Sequence, residues 1–228
     1  MFRAASTRTP TRKVQHVTRQ VRYQSAHQYK GQKLKHDLRI LLRDVAQPVA
    51  VVTTFMCGDS ESTKATFHGA TLSSFASIAM DPYPLITFAL RIPSRMATSL
   101  DAAASDSLQD PSAPPHMVVN LLSAHQASIA TKFSRPDLHP QPFDSVAYKL
   151  TEEGIPMLEG SLGALSCKLV TRAISLHDMG RDSSDAVPRK EDGASELFIA
   201  RVLRVESMSE RTLPLVYYRR SYTTVTFS

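Results

Sequence analysis

One segment of the chain gathers residue types that suit the binding of a flat ligand carrying a phosphate. The range Gly69–Ser74 combines glycine with threonine and serine hydroxyls in one turn. Small residues let the backbone approach a ligand closely, while hydroxyl and backbone N–H groups bind its polar edge. Ser94 and Arg95 then predict a helix N-terminus with a fixed cation, an arrangement that favours an anion.

The elements that must position these residues are mostly strands. The apolar run Leu85–Arg91 predicts a strand that is buried on both faces, and Leu38, Leu41, Leu42 and Val45 share one helical face. Strands without regular helical alternation favour an antiparallel barrel with helical crossings over a parallel α/β fold. The predicted strands lie near residues 49–55, 85–91, 117–122, 162–174, 196–207 and 215–227, and the predicted helices at 36–46, 95–104 and 124–133.

The order of the motifs resembles the flavin reductase-like, FMN-binding split-barrel family, whose sequences read roughly G-x-T-x-S-S-F-x-S-x-S-x-D-P-P, then an apolar strand, then S-x-T. The matching residues are Gly69, Thr71, Ser73, Ser74, Phe75, Ser77, Asp81 and Pro82, followed by Ser94, Arg95 and Thr98. Further fragments recur in the family's order, so the resemblance covers about Leu38 to Thr224. It implies a mainly β fold, an FMN-binding split β-barrel of antiparallel Greek-key type.

The resemblance also implies which residues hold the flavin. Residues 70–74 would line the isoalloxazine ring and ribityl chain, the start of the predicted helix at 95–104 would hold the phosphate, and one aromatic residue would pack near the flavin. The expected cofactor-binding residues are Ala70, Thr71, Leu72, Ser73, Ser74, Ser94, Arg95, Thr98 and Phe133. FMN is the expected flavin and FAD the alternative, with NAD(P)H as the reductant.

No catalytic side chain is expected, because a hydride would pass directly between the two cofactors and the protein would supply orientation. The family often carries Gly-Asp-His before the strand that matches residues 196–206, whereas this chain has Gly193-Ala194-Ser195 there. His177-Asp178 upstream is a candidate for the displaced motif. Two functions therefore remain open: an NAD(P)H-dependent flavin reductase, or a non-catalytic, degenerate FMN-binding carrier or assembly protein.

Several other residues allow both structural and functional interpretations. Asn120, inside a predicted strand, must find hydrogen-bond partners whether its role is structural or functional. Tyr217, Tyr218 and Tyr222 suit either strand pairing or contact with the cofactors. Cys167 lies in an apolar run and is expected to be a buried small hydrophobe. The histidines show no ligand spacing, so no metal site is expected.

The net charge of +6 is unevenly distributed along the chain. Residues 1–36 hold nine basic residues and no acidic ones, so the remainder carries 18 bases against 21 acids. The Arg-, Ser- and Thr-rich leader at 1–35 is typical of mitochondrial targeting to the matrix, with a disordered basic arm or a nucleic-acid-binding arm as alternatives. The domain proper would span 36–228, with a mobile polar insertion at 177–195.

The expected partners follow from charge, hydropathy and the resemblance. A mildly acidic body argues against nucleic acid as a partner, and no apolar run approaches the roughly 20 residues that a membrane span needs. Members of the family usually place the cofactor against a dimer interface, so the resemblance implies a homodimer.

Overall fold

The computed structural model describes residues 31–56, 67–72, 74–176, 179, 194–208 and 212–226. The chain divides into two units, Met1–Val45 and Ala46–Ser228. In the first unit the described residues form helix α1 at 31–43. Its leucines, Leu38 and Leu41 among them, are exposed. Almost all of the predicted leader, and most of the predicted insertion at 177–195, lie outside the described residues, so both stay predictions.

The second unit is built on an antiparallel sheet that curls into a half-barrel. Its strand order is β3-β2-β6-β9-β11-β5-β4, with β10 paired to β11. The strands are β1 (Gln47–Pro48), β2 (Ala50–Phe55), β3 (Phe67–Leu72), β4 (Phe75–Ala79), β5 (Leu85–Ile92), β6 (Met117–Leu121), β7 (Tyr148–Leu150), β8 (Pro156–Leu158), β9 (Gly163–Leu169), β10 (Ile174–Ser175), β11 (Ala194–Met208), β12 (Leu215–Tyr218) and β13 (Ser221–Thr224). The predicted mainly β, antiparallel split-barrel class is confirmed.

Two helices lie against this sheet. Helix α2 (Arg95–Ser107) begins directly after β5, and α3 (Ala127–Ser134) follows a short 3-10 turn at Ala124–Gln126. A second 3-10 turn, Pro142–Ser145, precedes β7. Among the described residues, no helix is both long and apolar enough to cross a membrane.

The core consists of two main clusters on opposite faces of β2. Ala50 and Val52 join the larger cluster, in which α2 covers stacked Phe88 and Phe198 rings with centroids 5.4 Å apart. Val51 joins the second cluster, where α3 and β12 pack. Strand β2 is therefore buried on both faces, as are β6 and β9. Strand β5 was also expected to be buried on both faces. This expectation is wrong, because its residues alternate between buried and half-buried positions up to Leu90.

Asn120 on β6 has a structural role in this core. Its side chain is fully buried and donates to the Val51 carbonyl at 3.1 Å and to Thr53 Oγ1 at 3.2 Å. Its oxygen accepts the Leu158 N–H at 2.8 Å. Because every polar atom of the amide is engaged, Asn120 ties β2, β6 and β8 together and has no group left for a ligand.

A charged cluster at the edge of the barrel gives the fold a pH-dependent contribution to stability. Arg204 on β11 donates to Glu153 Oε2 at 2.8 Å and to Glu206 Oε1 at 2.7 Å. Hydrogen bonds from Arg204 hold the pKa of Glu153 below its ordinary value of 4.5. A carboxylate with a lowered folded-state pKa stabilises the native state above that ordinary value, and this stabilisation is lost as pH falls through the folded-state pKa.

Glu153→Gln is therefore expected to lower the free energy of unfolding by about 1 kcal/mol at neutral pH. The loss should shrink toward zero at acid pH, where Glu153 is protonated in both states. Urea unfolding across the pH range measures it. The matched control is Glu152→Gln, because Glu152 meets the same arginine at 3.4 Å with a side chain that is 85% exposed. Equal losses in the two variants would contradict the assignment to Glu153.

Candidate functional site

A pocket of about 500 Å³ opens between β3, α3, the start of α2 and the segment at 136–148. It brings Gly69, Phe133 and Arg95 together, although they lie far apart in sequence. Its volume falls within the range of about 300–1,000 Å³ that is typical of small-molecule sites. The structure therefore provides a slot that leads from the glycine of β3 to the arginine of α2.

One side of this pocket is an aromatic wall. Phe143 lies at its centre, with ring centroids 5.1 Å from Phe133, 5.7 Å from Phe67 and 5.5 Å from Tyr148. The rings meet edge to face, an arrangement that their quadrupoles favour. Such a wall offers flat apolar surface to a planar ligand. Sequence reasoning did not identify Phe67, Phe143 or Tyr148, since no local motif links residue 67 to residues 143 and 148.

The absence of a side chain at Gly69 makes room for this wall. A Cβ built on Gly69 would lie 2.4 Å from Phe133 Cε1 and 2.5 Å from Cδ1, well inside van der Waals contact. The Phe133 ring is almost completely buried, so it packs directly on the β3 backbone. Phe133 was predicted to pack near the flavin or in the core; it belongs to the second core cluster and also lines the pocket, and its contact with a flavin stays a prediction.

Arg95, the first residue of α2, lines the pocket, whereas the neighbouring Ser94 and Thr98 line neither pocket. Ser94 Oγ accepts the Ala97 N–H at 3.4 Å, and the Thr98 hydroxyl donates to the Ser94 carbonyl at 3.2 Å. The first turn contains no acidic residue. Arg95 is exposed at the pocket and has no ion-pair partner among the residues described here. Ser94 therefore caps the helix as predicted, and Arg95 leaves a positive charge facing the slot.

His68, which sequence reasoning left out of the site, also lines this pocket. It is half-buried, and its pKa lies below the ordinary value of 6.5 because of burial and the nearby positive charge of Arg95. Its imidazole is therefore mostly neutral at neutral pH. The motif reading passed over His68 because it falls one residue before the glycine at which the family pattern begins.

A second pocket, of about 370 Å³, lies further along β3. Thr71 and Leu72 line it together with Tyr217 and Tyr222. The two tyrosines are cross-strand partners on β12 and β13, with ring centroids 5.4 Å apart. Strand pairing is therefore confirmed for these two tyrosines, whereas their contact with the cofactors stays a prediction.

The hydroxyls predicted to hold the ligand have partners within the protein. Thr71 Oγ1 donates to the Ala130 carbonyl at 2.7 Å, and Ser74 Oγ accepts the Ala89 N–H at 2.9 Å. The Thr71 oxygen can still accept a hydrogen bond, and the Ser74 hydroxyl can still donate one. Ala70 and Leu72 pack on the larger core cluster, so at these positions a ligand would meet backbone. Ser73 lies outside the described residues.

The site that the family motif would place before β11 is described only in part. Ala194 and Ser195 are the first residues of β11 and pair with Ile92 and Arg91 of β5. Ile92 lies shortly before Arg95, the first residue of α2. Gly193, His177 and Asp178 lie outside the described residues, so the suggestion of a displaced motif stays a hypothesis.

Metal ligands and a reactive thiol are not evident in the described part of the chain. Within that part, no group of three or more histidine, cysteine, aspartate or glutamate residues could hold a metal ion. Cys167 is fully buried, and burial raises the pKa of its thiol far above the ordinary value. The prediction of a buried small hydrophobe at this position is confirmed.

Fold and site together define an antiparallel split-barrel protein with an aromatic pocket that is also lined by an exposed arginine. Residues 42–226 match the model of the flavin reductase like domain. The chain belongs to this family.

Two relatives and one solved structure illustrate the family. The chain is 30% identical over 112 residues to the FMN reductase (NADH) SmoA of Agrobacterium fabrum, covering 49% of this chain and 53% of the relative. It is 28% identical over 133 residues to an NADH-dependent flavin reductase of a Rhodococcus species, covering 58% and 64%. The chain thus spans less than two-thirds of the length of these relatives.

The fold comparison covers more of the chain. The Streptomyces globisporus NADH:FAD oxidoreductase SgcE6, solved in complex with NAD and FAD fragments, superposes with a TM-score of 0.60 at 23% identity. The match covers 86% of this chain and 94% of that one. At this identity the likeness establishes the shared fold.

Proposed function

We propose that this protein is an NAD(P)H-dependent flavin reductase that binds FMN in the pocket between Gly69, Phe133 and Arg95. The observation that carries the proposal is the pocket itself, which has an aromatic wall on one side and, at the first residue of α2, a guanidinium that has no ion-pair partner among the described residues. These are the features that a flat ring bearing a phosphate requires. The names of the two relatives support the same activity.

The residues present fit this cofactor on two structural grounds. The missing side chain at Gly69 lets the Phe133 ring pack directly on the β3 backbone, where a Cβ would collide with it, and both residues line the pocket. The first turn of α2 contains no acidic residue that would repel a negative ligand, and Ser94 caps one of its N–H groups, that of Ala97. A negative ligand is favoured at such a helix N-terminus. We assign Arg95, Ser94 and Thr98 to the phosphate end, and Phe133 to the ring and ribityl end.

Bound flavin and nicotinamide would supply the redox chemistry, the transfer of a hydride. The chain would contribute binding and orientation: the aromatic wall would pack against the planar group, and Arg95 would bind the phosphate. Closely packed rings also exclude water from one side of the slot. The proposal assigns no side chain of the described pocket a role as acid or base.

The reductase and the non-catalytic carrier differ in one observable property. The full-length protein is purified, its visible spectrum is recorded with FMN or FAD, and NADH or NADPH is added without oxygen. A reductase should turn over many times and so bleach the absorbance of the added flavin. A carrier should bind flavin and stay yellow. Absence of flavin binding would remove both functions. The names of the relatives favour the reductase.

Arg95→Ala is expected to weaken FMN binding by about 1–3 kcal/mol, because a charge-assisted hydrogen bond to the phosphate is lost. Riboflavin, which lacks the phosphate, should bind wild type and variant equally well. Fluorescence quenching of each flavin measures both affinities. Arg172→Ala is the control, since Arg172 is an exposed arginine that lines neither pocket. If wild type binds riboflavin as tightly as FMN, the phosphate assignment is wrong.

Two further properties are proposals that rest on less direct support. A homodimer is favoured by β4, an edge strand of the sheet that presents exposed Ile78 and is followed by exposed Met80. Apolar groups on an exposed edge suit pairing with another chain, and light scattering of the purified protein tests this. Mitochondrial targeting by residues 1–35 rests on composition. An intact Met1 in the native protein would contradict removal of this leader.

A further inference from the structure

We propose that His68 is a second anion-binding residue of the pocket and takes up a proton when the phosphate of the flavin binds beside Arg95. This inference rests on the proposed function and adds a residue that the family motif does not contain. If His68 has this role, the affinity for a flavin that carries a phosphate depends on pH, and the affinity for the ring alone does not.

The position of His68 supports this role. It pairs with Thr54 across β2 and β3, and its half-buried ring lines the same pocket as Arg95. Within the described residues, no group donates to or accepts from its imidazole. In the described part of the chain, neither this imidazole nor the Arg95 guanidinium has a hydrogen-bond or ion-pair partner, and an anion with several acceptor oxygens could bind both.

The charges around His68 determine the direction of the effect. Arg95 approaches from α2, and its positive charge disfavours a second cation on His68. Lys132 of α3 and His139 also line the pocket, while Asp144 is the acidic residue that lines its described part. The Lys132 ammonium is directed to Ser145, donating to its carbonyl at 3.2 Å and to its hydroxyl at 2.9 Å.

A phosphate bound between Arg95 and His68 would place negative charge beside the imidazole and so oppose the effect of the Arg95 charge. A dianion beside the imidazole favours the imidazolium form, so the pKa of His68 should rise on binding. The proton comes from solvent, and no bond of the ligand changes. By linkage, a group that gains a proton on binding makes the ligand bind more tightly as pH falls.

The test compares FMN and riboflavin affinities of the full-length protein and its His68→Gln variant between about pH 6 and about pH 8. For wild type we expect the preference for FMN over riboflavin to rise about tenfold toward the acid end, as one charge-assisted hydrogen bond implies. In His68→Gln this rise should be absent. Because the phosphate of FMN itself titrates near pH 6, the difference between the two proteins is the decisive quantity.

A matched control and a direct titration separate this inference from the proposed function. His125→Gln replaces an exposed histidine that lines neither pocket and should keep the wild-type pH profile. The imidazole NMR signal of His68 should titrate at higher pH once FMN or inorganic phosphate is added. If flavin binds but His68→Gln keeps the pH dependence, or His139→Gln removes it instead, this inference fails alone. If neither flavin binds, the proposed function fails with it.

Discussion

Gly69→Ala is expected to lower the free energy of unfolding by about 1–3 kcal/mol, the usual penalty for adding a group to a packed site. The added methyl group would lie 2.4 Å from the ring of Phe133. This ring cannot simply turn away, because it is almost fully buried and Phe143 packs against it at 5.1 Å. If the ring moves, either α3 moves away from β3 with it or the ring enters the pocket.

For this reason Gly69→Ala should also weaken flavin binding, even in protein that remains folded. Urea unfolding gives the stability, and FMN titration at a temperature well below the midpoint gives the affinity. Gly31→Ala is the control for a change from glycine to alanine, since a Cβ at Gly31 meets nothing within 4 Å. We expect Gly31→Ala to leave both quantities almost unchanged.

A double-mutant cycle identifies Phe133 as the origin of the effect. Phe133→Leu removes ring atoms at the point of collision, so adding Gly69→Ala to it should be less damaging than adding it to wild type. A coupling of about 0.5–3 kcal/mol is typical of residues in direct contact. If Gly69→Ala is equally destabilising in both backgrounds, the steric explanation is wrong.

Asn120→Ala is expected to lower the free energy of unfolding by about 2–4 kcal/mol, the largest change in stability that we predict. The variant leaves the Leu158 N–H without its acceptor and creates a cavity between β2, β6 and β8. Calorimetric or urea unfolding measures the loss. Thr131→Ala should stay within about 0.5 kcal/mol, because the Thr131 hydroxyl bonds locally to the Ala127 carbonyl on an exposed face of α3.

Asn120→Asp provides a second, chemically distinct test of the same site. The aspartate keeps an oxygen for the Leu158 N–H but loses the two N–H donors to Val51 and Thr53. Burial disfavours the charged carboxylate and raises its folded-state pKa. The variant should therefore become less stable as pH rises above the ordinary aspartate value. A pH-independent loss would show that Asn120 acts through packing alone.

The fold could be predicted from the sequence because local pattern and motif order agree. The β-branched run of β2 and the Ser94 cap of α2 lie where they were expected. The helical ends differ by a few residues, since α2 extends to Ser107. The prediction that β5 is buried on both faces was wrong because burial depends on the tertiary packing. Its outer face is only half-buried, which an unbroken apolar run does not reveal.

The candidate site could be predicted only in part. The arginine and the helix cap were found from their types and spacing, and the structure places Arg95 and Phe133 in one pocket. The hydroxyl segment divides between two pockets: Gly69 lines the first, and Thr71 lines the second. Nothing in a linear motif indicates this division, because it depends on the approach of α3 to the middle of β3, where Thr71 bonds the Ala130 carbonyl.

The sequence by itself determined the antiparallel barrel class, the family and the cation that faces the pocket, because these follow from periodicity, turn chemistry and the order of motifs along the chain. Only the tertiary structure decided what surrounds that cation. The aromatic wall and the half-buried His68 come from residues that are distant in sequence, and their contacts depend on how β3, α3 and the segment at 136–148 pack. The role of Asn120 was decided in the same way, since its hydrogen-bond partners lie on two other strands, β2 and β8.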